Sequence, residues 1–321
     1  MLRQLHIIIL FAVTILLLSG CSDFFDEGNI QRVGMLVENS VHDEPWAQKG
    51  YKGLQAISEE FEVDVFFKEN IQTEQDLREA VEDLSNRGVN LIFGHSSTYG
   101  KFFEDISASY PSIHFVYFNG GYFGEDLTSL NFNSHAMGFF GGMVAGKMTE
   151  SNQVGIIGAY EWQPEIEGFF EGVKYQNPDA EVHFNYVHSW NDKKKALKQY
   201  KEMREKGVDV FYPTGDIYSE AIIKQAAEDG VYAIGYVTDQ ADIDKKTVLT
   251  STVQHVEDLY VLIAEQFNEG ELRGGVMTFD FQDEVISLGK FSPDVPEDFR
   301  EKVMDEVEAY KDTGLLPNER Q

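Results

Sequence analysis

The sequence contains a single cysteine, Cys21, and few basic residues for its 321-residue length. One cysteine provides neither a disulfide framework within the chain nor a thiolate cage around a metal ion. There are 26 lysines and arginines against 55 aspartates and glutamates, which gives a formal net charge of −29. Because a surface of this charge repels a polyanion, we expect no direct contact with nucleic acid.

The first twenty residues contain no acidic residue. Arg3 supplies a basic start, and residues 7–18 form an uncharged run. A run of this length is typical of a secretory signal peptide and is shorter than the ~20 residues that cross a bilayer. No later segment is long and apolar enough to span a membrane. We therefore predict a signal peptide over residues 1–20 and an extracytoplasmic body.

The signal segment ends in Leu18-Ser19-Gly20-Cys21, which resembles the lipobox of bacterial lipoproteins. The resemblance implies cleavage before Cys21 and attachment of lipid to its thiol, and a two-chain acyl anchor holds a protein stably on a membrane. An ordinary signal peptide, or a cysteine that is merely buried, is the alternative. Lipidation is favoured because the only cysteine stands at the attachment position. Residues 21–29 then form a polar tether to the cell membrane.

From residue 30 onward, short apolar runs alternate with amphipathic segments. Residues 73–87 have the apolar spacing of a helix, Thr73 and Asp76 fit a capping box, and Gly88 fits a C-terminal cap. Near-continuous apolar strands separated by helices indicate parallel sheets that are covered on both faces. The alternation runs twice, so the sequence predicts an α/β protein with two doubly wound lobes.

Ligands of open α/β sheets bind beyond the carboxyl ends of the strands, and two facing lobes place that site in the cleft between them. Polar and aromatic residues follow several predicted strands. The candidate ligand contacts are Glu38, Asp43, Trp46, His95, Ser96, Asn119, Tyr160, Trp162, Asp216, Tyr218 and Asp239.

Patterns that would indicate catalysis or metal binding are incomplete. Residues 141–147 have the spacing of a phosphate loop, but Met148 stands where a hydroxyl would coordinate Mg²⁺, so these small residues predict close helix packing instead. Asp239, Asp242 and Asp244 lack the glycine and the terminal glutamate of a calcium loop. No nucleophile with a neighbouring base is evident. We therefore expect no enzyme activity, no metal and no cofactor.

Eight segments together resemble the basic-membrane-protein lipoproteins, the purine nucleoside receptor group. They are residues 33–37, 43–54, 138–142, 153–158, 168–173 with 177–178, 207–211, 235–240 and 249–253. The resemblance implies a type I periplasmic-binding-protein fold, in which two Rossmann-like lobes are joined by three crossovers and close on a ligand. Lobe 1 is then expected over residues 30–132 and 254–280, and lobe 2 over residues 133–253 and 281–321.

The resemblance also assigns roles within the cleft. Glu38 takes the place of an acidic residue after the first strand, and Trp46 that of the aromatic residue that stacks on the purine.

Four other positions depart from the family pattern. Polar or charged residues of the group are replaced by Ala47, Ala136, Val237 and Gln254. Since a hydrogen bond to a charged group contributes about 1.5–3 kcal/mol, we expect a purine nucleoside to bind about a thousandfold more weakly than in the group's receptors.

Two functions remain open at this point. The first is a membrane-anchored solute-binding lipoprotein that captures a small, nucleoside-like molecule and delivers it to an ABC permease. The alternative is a regulatory lipoprotein of the same family, a positive regulator of competence that signals through a protein partner without transport.

Overall fold

The computed structural model describes residues 29–42 and 44–320. The signal peptide and Cys21 lie outside the described residues. The strands are β1 (Arg32–Leu36), β2 (Asp64–Lys68), β3 (Leu91–Gly94), β4 (His114–Phe118), β5 (Leu127–Phe132), β6 (Gln153–Gly158), β7 (Glu181–Tyr186), β8 (Val210–Thr214), β9 (Tyr232–Val237), β10 (Val248–Gln254), β11 (Gly275–Phe279) and β12 (Ile286–Leu288).

Helices alternate with these strands along the chain. They are α1 (Pro45–Phe61), α2 (Glu74–Asn86), α3 (Tyr99–Ile106), α4 (Ser134–Met148), α5 (Pro164–Gln176), α6 (Lys193–Glu205), α7 (Tyr218–Glu228), α8 (Val256–Asn268) and α9 (Glu297–Thr313), with single 3₁₀ turns at Ser107–Ser109 and Phe281–Asp283. Helix α2 begins with the predicted capping box: the Thr73 hydroxyl accepts from the backbone N–H of Asp76, whose carboxylate accepts from the backbone N–H of Thr73. Gly88 follows this helix with a φ of +75°, as its role as a cap requires.

The strands form two six-stranded sheets, one per lobe. The first has the order β11-β5-β4-β3-β1-β2 and is parallel throughout. The second has the order β12-β10-β9-β8-β6-β7, and only β12 runs antiparallel to its neighbour β10. The predicted α/β architecture is confirmed, apart from the short strand β12, which no sequence pattern indicated.

The chain passes between the sheets three times, at Asn133, His255 and Asp280. After the first passage α4 packs on α5 in the second lobe, and after the second passage α8 packs on α1 in the first lobe. The side-chain amide of Asn133 donates to Asp280 Oδ2 and to the Tyr310 hydroxyl, both at 2.9 Å, and Tyr310 donates to Asp280 at 2.5 Å. Two crossovers are therefore held together by the last helix, α9.

Glycines bring α4 and α5 into backbone contact. A Cβ atom at Gly138 would lie 2.2 Å from the carbonyl oxygen of Glu165, and one at Gly142 would lie 2.2 Å from that of Phe169. No side chain fits at these positions. The predicted close packing is confirmed, and the phosphate-loop spacing over residues 141–147 lies wholly inside the buried helix α4.

None of the helices within residues 29–42 and 44–320 has the length and apolarity needed to cross a bilayer.

Candidate ligand-binding cleft

A cleft of about 710 Å³ lies between the lobes, at the carboxyl ends of β1, β3, β6, β8 and β9. Both lobes contribute to its walls. Eight of the predicted contact residues line it: Glu38, Trp46, His95, Ser96, Asn119, Tyr160, Trp162 and Asp216.

Three other predicted contact residues are not among the described residues that line the cleft. Tyr218 does not line the cleft, because its side chain is buried in the second lobe and its hydroxyl donates to the carbonyl of Ile157 at 3.0 Å. Asp239 also lies elsewhere: its carboxylate accepts from the backbone N–H of Ala241 at 3.2 Å and lies 3.9 Å from the ammonium of Lys290. Asp43 lies outside the described residues.

Trp46 and His95 form one rigid unit in the first-lobe wall. Their rings stack at 4.7 Å with an interplanar angle of 17°, so His95 covers one face of the indole. The indole N–H donates to the His95 carbonyl at 3.2 Å, and His95 Nε2 lies 2.8 Å from the Trp46 carbonyl. At most one face of Trp46 is left for a ligand.

The tautomer of His95 follows from its partners. The Trp46 carbonyl is only an acceptor, so Nε2 carries the proton, and Nδ1 accepts from the Tyr260 hydroxyl at 2.9 Å. His95 is 3% exposed, and burial lowers its pKa to about 4. At neutral pH the ring is uncharged, and both of its nitrogens have protein partners. It therefore supports Trp46 and offers no ring nitrogen to a ligand.

Glycine at position 50 makes room for this unit. A Cβ atom there would lie 2.6 Å from His95 Cε1, inside the contact distance of carbon atoms. Because residue 50 lacks a side chain, α1 lies close against His95, and Trp46 in the first turn of the helix reaches the cleft.

Two hydrogen bonds cross the mouth of the cleft. The backbone N–H of Trp46, in the first turn of α1, donates to the Asp216 carboxylate at 3.3 Å. The Asn191 amide donates to Glu44 Oε1 at 2.8 Å. Burial, together with the negative charge of Glu44, raises the pKa of Asp216 to about 7. The lobes are therefore in contact here through two acidic side chains.

A buried carboxyl group that the sequence did not single out lies on the second-lobe wall. Glu165 is 3% exposed, and its Oε1 accepts from the Tyr236 hydroxyl at 2.9 Å and from the Gln163 amide at 2.8 Å. Burial raises its pKa above the ordinary range. Its position at the start of α5, just after Tyr160 and Trp162 in the chain, is the signal that would have identified it.

Three rings, which we term the aromatic wall, line the second-lobe side: Tyr160, Trp162 and Trp190. Tyr160 stacks with Trp162 at 5.5 Å, and Trp190 stands edge-on to them at 5.3 and 5.9 Å. Trp162 is 61% exposed. Trp190 follows β7 and was missed, although the same strand-end rule applies to it.

The residues that depart from the family pattern are found at the cleft. Ala47, Val237 and Gln254 line it, whereas Ala136 does not. Val237 has a φ of +64°, and the N–H of Thr238 bonds to the Tyr236 carbonyl at 2.7 Å. A β-branched residue in this conformation costs about 1–3 kcal/mol, so the strain is located at the cleft.

Within the described part of the chain, no group of three or more His, Cys, Asp or Glu residues is placed to hold a metal ion. The volume of the cleft, about 710 Å³, is within the range of pockets that bind small molecules, and its polar side chains can orient such a ligand.

The sequence is similar to those of known proteins over almost its whole length. Residues 30–319 match the Bmp family, described as ABC transporter substrate-binding protein PnrA-like. The chain is 46% identical to the transcriptional activator protein Med of Bacillus subtilis (strain 168), covering 97% of this chain and 98% of that protein. It is 23% identical to a purine-binding protein of Brucella abortus (strain 2308), covering 89% and 82%.

Solved structures agree with the fold. The crystal structure of a transcriptional activator of the comK gene from Bacillus halodurans is 47% identical, with a TM-score of 0.85, covering 89% of this chain and 99% of that one. An ABC-transporter solute-binding protein from Conexibacter woesei, at 20% identity and a TM-score of 0.73, covers 91% and 100% and has the same two-lobed fold. The chain therefore belongs to the Bmp family of PnrA-like ABC transporter substrate-binding proteins.

Proposed function

We propose that this protein captures a small solute in the cleft between its lobes and presents it to an ABC permease at the outer face of the cell membrane. The observation that carries the proposal is the cleft itself. It has a volume of about 710 Å³, and both lobes supply its walls. A ligand that contacts both lobes favours the closed state over the open one, which is how a two-lobed binding protein signals occupancy.

Lipid anchoring at Cys21 belongs to the same proposal. The support is the sequence pattern around this cysteine, and a tether over residues 21–29 would let the body reach a permease in the same membrane. Capture then takes place on the side of the membrane from which the solute is imported.

The solute is expected to differ from the purine nucleosides of the receptor group. The Brucella relative is named as purine-binding. In this chain, however, Ala47 and Val237 bring apolar side chains to the cleft wall, and Gln254 brings a neutral one. Trp46 keeps a place for stacking, with one face already covered by His95. We therefore propose altered specificity on a conserved scaffold.

The test is to identify what the cleft holds. The mature protein is purified from its native host in detergent, without added ligand, and native mass spectrometry is used to look for a bound small molecule. Thermal shifts with adenosine and guanosine then measure nucleoside binding, since a ligand at 100 times its Kd adds about 2.7 kcal/mol of stability. If the protein is always empty and no solute shifts its melting temperature, solute capture is refuted.

A regulatory lipoprotein is the second candidate function. It is favoured by the identities of 46% and 47% to two proteins named as transcriptional activators, one of them an activator of the comK gene. Because a charge of −29 opposes contact with DNA, such a regulator would act through a protein partner and promote competence indirectly. Deleting the chain and measuring comK transcription in its host tests this role. A variant with an occluded cleft that still restores transcription would separate regulation from capture.

A further inference from the structure

Acidic side chains line the walls of the cleft, and burial raises the pKa of two of them, Glu165 and Asp216. Four of the described residues that line it are carboxylic acids: Glu38, Glu44, Glu165 and Asp216. Neither lysine nor arginine is found among those described lining residues. A ligand that brings its own positive charge would be attracted into this cleft, whereas an anion would be repelled.

Neither His95 nor Lys49, both close to the cleft, offers a free positive charge to a ligand. His95 is neutral at physiological pH. The ammonium of Lys49, on α1, donates to the Gln254 carbonyl at 2.8 Å and pairs with the Glu257 carboxylate at 3.1 Å.

The start of α1, a place at the cleft where an anion could bind, is also occupied. The first turn of a helix attracts negative charge through its free backbone N–H groups. At α1 the N–H of Trp46 already donates to the carboxylate of Asp216, supplied by the opposite lobe. A phosphate or carboxylate of a ligand would have to displace that side chain and would then face Glu44. Nucleotides and organic anions are therefore poorly matched to this end of the cleft.

The same end of the cleft offers a surface for cations. The Asn191 amide donates to the Glu44 carboxylate at 2.8 Å, and Asn191 follows Trp190 directly in the chain. The backbone N–H of Ile217 donates to the Trp190 carbonyl at 3.3 Å. This bond joins the loop that carries Asp216 to the loop that carries Trp190. The aromatic wall and two carboxylates thus share one corner. Ring faces attract cations, and aromatic cages recognise quaternary ammonium groups.

We propose that the cleft captures an organic cation, an amine or a quaternary ammonium compound, whose charged group lies against Tyr160, Trp162 and Trp190 and is neutralised by Glu44 and Asp216. The inference rests on the proposed function, because it names the class of solute for the same cleft. It accords with the apolar side chains of Ala47 and Val237 at the cleft wall and with the acidic, aromatic corner.

Isothermal titration of the mature protein tests this with matched probes. Choline and agmatine are the cations, 3,3-dimethyl-1-butanol is the uncharged isostere of choline, and adenosine and inorganic phosphate are the neutral and anionic comparisons. We expect at least one cation to bind, and the uncharged isostere to bind at least about tenfold more weakly than choline if choline binds. Equal binding of choline and its isostere would overturn the proposal, because the charge would then not be recognised.

Variants locate the site. Trp162→Ala is expected to weaken cation binding about tenfold, and Trp162→Phe to restore most of it. Phe123→Ala is the matched control, since Phe123 is 60% exposed and lies outside the cleft lining. Glu44→Gln keeps an acceptor for Asn191 and removes the charge, so it should weaken cation binding. Unchanged cation binding in both Trp162→Ala and Glu44→Gln would refute this corner as the site.

The possible results distinguish failure of the cation inference from failure of the proposed solute capture. If adenosine binds and the cations do not, or if a neutral or anionic molecule is purified with the protein, the cation inference falls and solute capture stands. If none of the probes binds and no small molecule is purified with the protein, both fall, and the regulatory function remains.

Discussion

The carboxylate of Asp216 accepts a hydrogen bond from the backbone N–H of Trp46 across the mouth of the cleft, at 3.3 Å from Oδ1 and 3.5 Å from Oδ2. The two residues belong to different lobes, so the bond exists only while the lobes are in contact. The start of a helix favours a negative charge at this point. Burial and the nearby Glu44 oppose it and hold the pKa of Asp216 at about 7. Contact between the lobes is therefore coupled to the protonation of one side chain.

This coupling predicts a pH-dependent stability. In the unfolded chain Asp216 has an ordinary pKa near 3.8. Between pH 4 and 7 the folded protein binds the proton and the unfolded chain does not, so the contribution of Asp216 to the free energy of unfolding is greatest near pH 4. That contribution falls as the pH rises through 7, by up to about 4 kcal/mol.

The variant Asp216→Asn removes this titration. The wild type loses stability as the pH rises from 4.5 to 7.5, and the variant lacks this loss. We therefore expect the free energy of unfolding of the variant to increase relative to that of the wild type over this range, in urea unfolding curves recorded at several pH values. The exposed Asp179 provides the control, because Asp179→Asn should show no such trend. A difference between Asp216→Asn and wild type that stays constant over this range would contradict the raised pKa.

The cleft could be predicted from the sequence because the carboxyl ends of parallel strands lie at one edge of a sheet. This rule does not depend on how the side chains pack. Trp46 and Asp216 were both identified by that rule. Their hydrogen bond could not be predicted, since it depends on the angle at which the lobes meet. The rule also fails on side-chain direction: Tyr218 follows β8, yet its ring turns into the core, where its hydroxyl bonds to the Ile157 carbonyl.

Residues that the sequence analysis missed show the limits of the same rule. Glu165 lies in the first turn of α5, where an acidic residue is ordinary. Its position after Tyr160 and Trp162 indicates the cleft, but its burial with Tyr236 could not be predicted. Trp190 lies several residues beyond the end of β7, and its place beside Tyr160 depends on the fold of that loop. Strand β12 has three residues, too few to show a period.

The hydrogen-bonded chain from Tyr260 through His95 to Trp46 gives a second prediction. Tyr260→Phe removes the donor to His95 Nδ1 and leaves a buried acceptor without a partner, at a cost of about 1–3 kcal/mol. We expect urea unfolding to report this loss. Tyr51→Phe is the control, because the Tyr51 hydroxyl accepts only an exposed hydrogen bond from Gln55. Equal stabilities of wild type and Tyr260→Phe would contradict the hydrogen-bonded chain.

His95 itself should titrate far below an ordinary histidine. Burial lowers its pKa to about 4, so its imidazole signals in NMR spectra should stay those of the neutral Nε2–H tautomer from pH 8 down to pH 5. Since the unfolded chain takes up this proton near pH 6.5, His95 lowers stability as the pH falls from 6.5 towards 4. A midpoint near 6.5 in the folded protein would contradict its burial.

The contact between α1 and β3 gives a steric prediction. In Gly50→Ala the new Cβ atom meets the His95 ring at 2.6 Å, and the ring is fixed by bonds at both nitrogens. We expect a loss of about 1–3 kcal/mol in the free energy of unfolding. Because His95 supports Trp46, the tryptophan fluorescence of the folded protein should change as well.

Gly121→Ala is the matched control for this substitution. A Cβ atom there meets nothing within 4 Å, so neither stability nor fluorescence should change by a measurable amount. If Gly50→Ala is as stable as Gly121→Ala, helix α1 has more freedom to move away from His95 than its packing indicates.

The position of Cys21 predicts how the protein is held at the membrane. If its thiol receives the lipid, Cys21→Ala removes the anchor, and the net charge of −29 opposes attraction of the body to an anionic membrane surface. We expect the wild type in the membrane fraction, labelled by radioactive palmitate, and Cys21→Ala unlabelled in the soluble extracytoplasmic fraction or the medium. Ser22→Ala, one residue further on, should behave as the wild type. If Cys21→Ala stays in the membrane fraction, an uncleaved signal segment rather than a lipid holds the protein there.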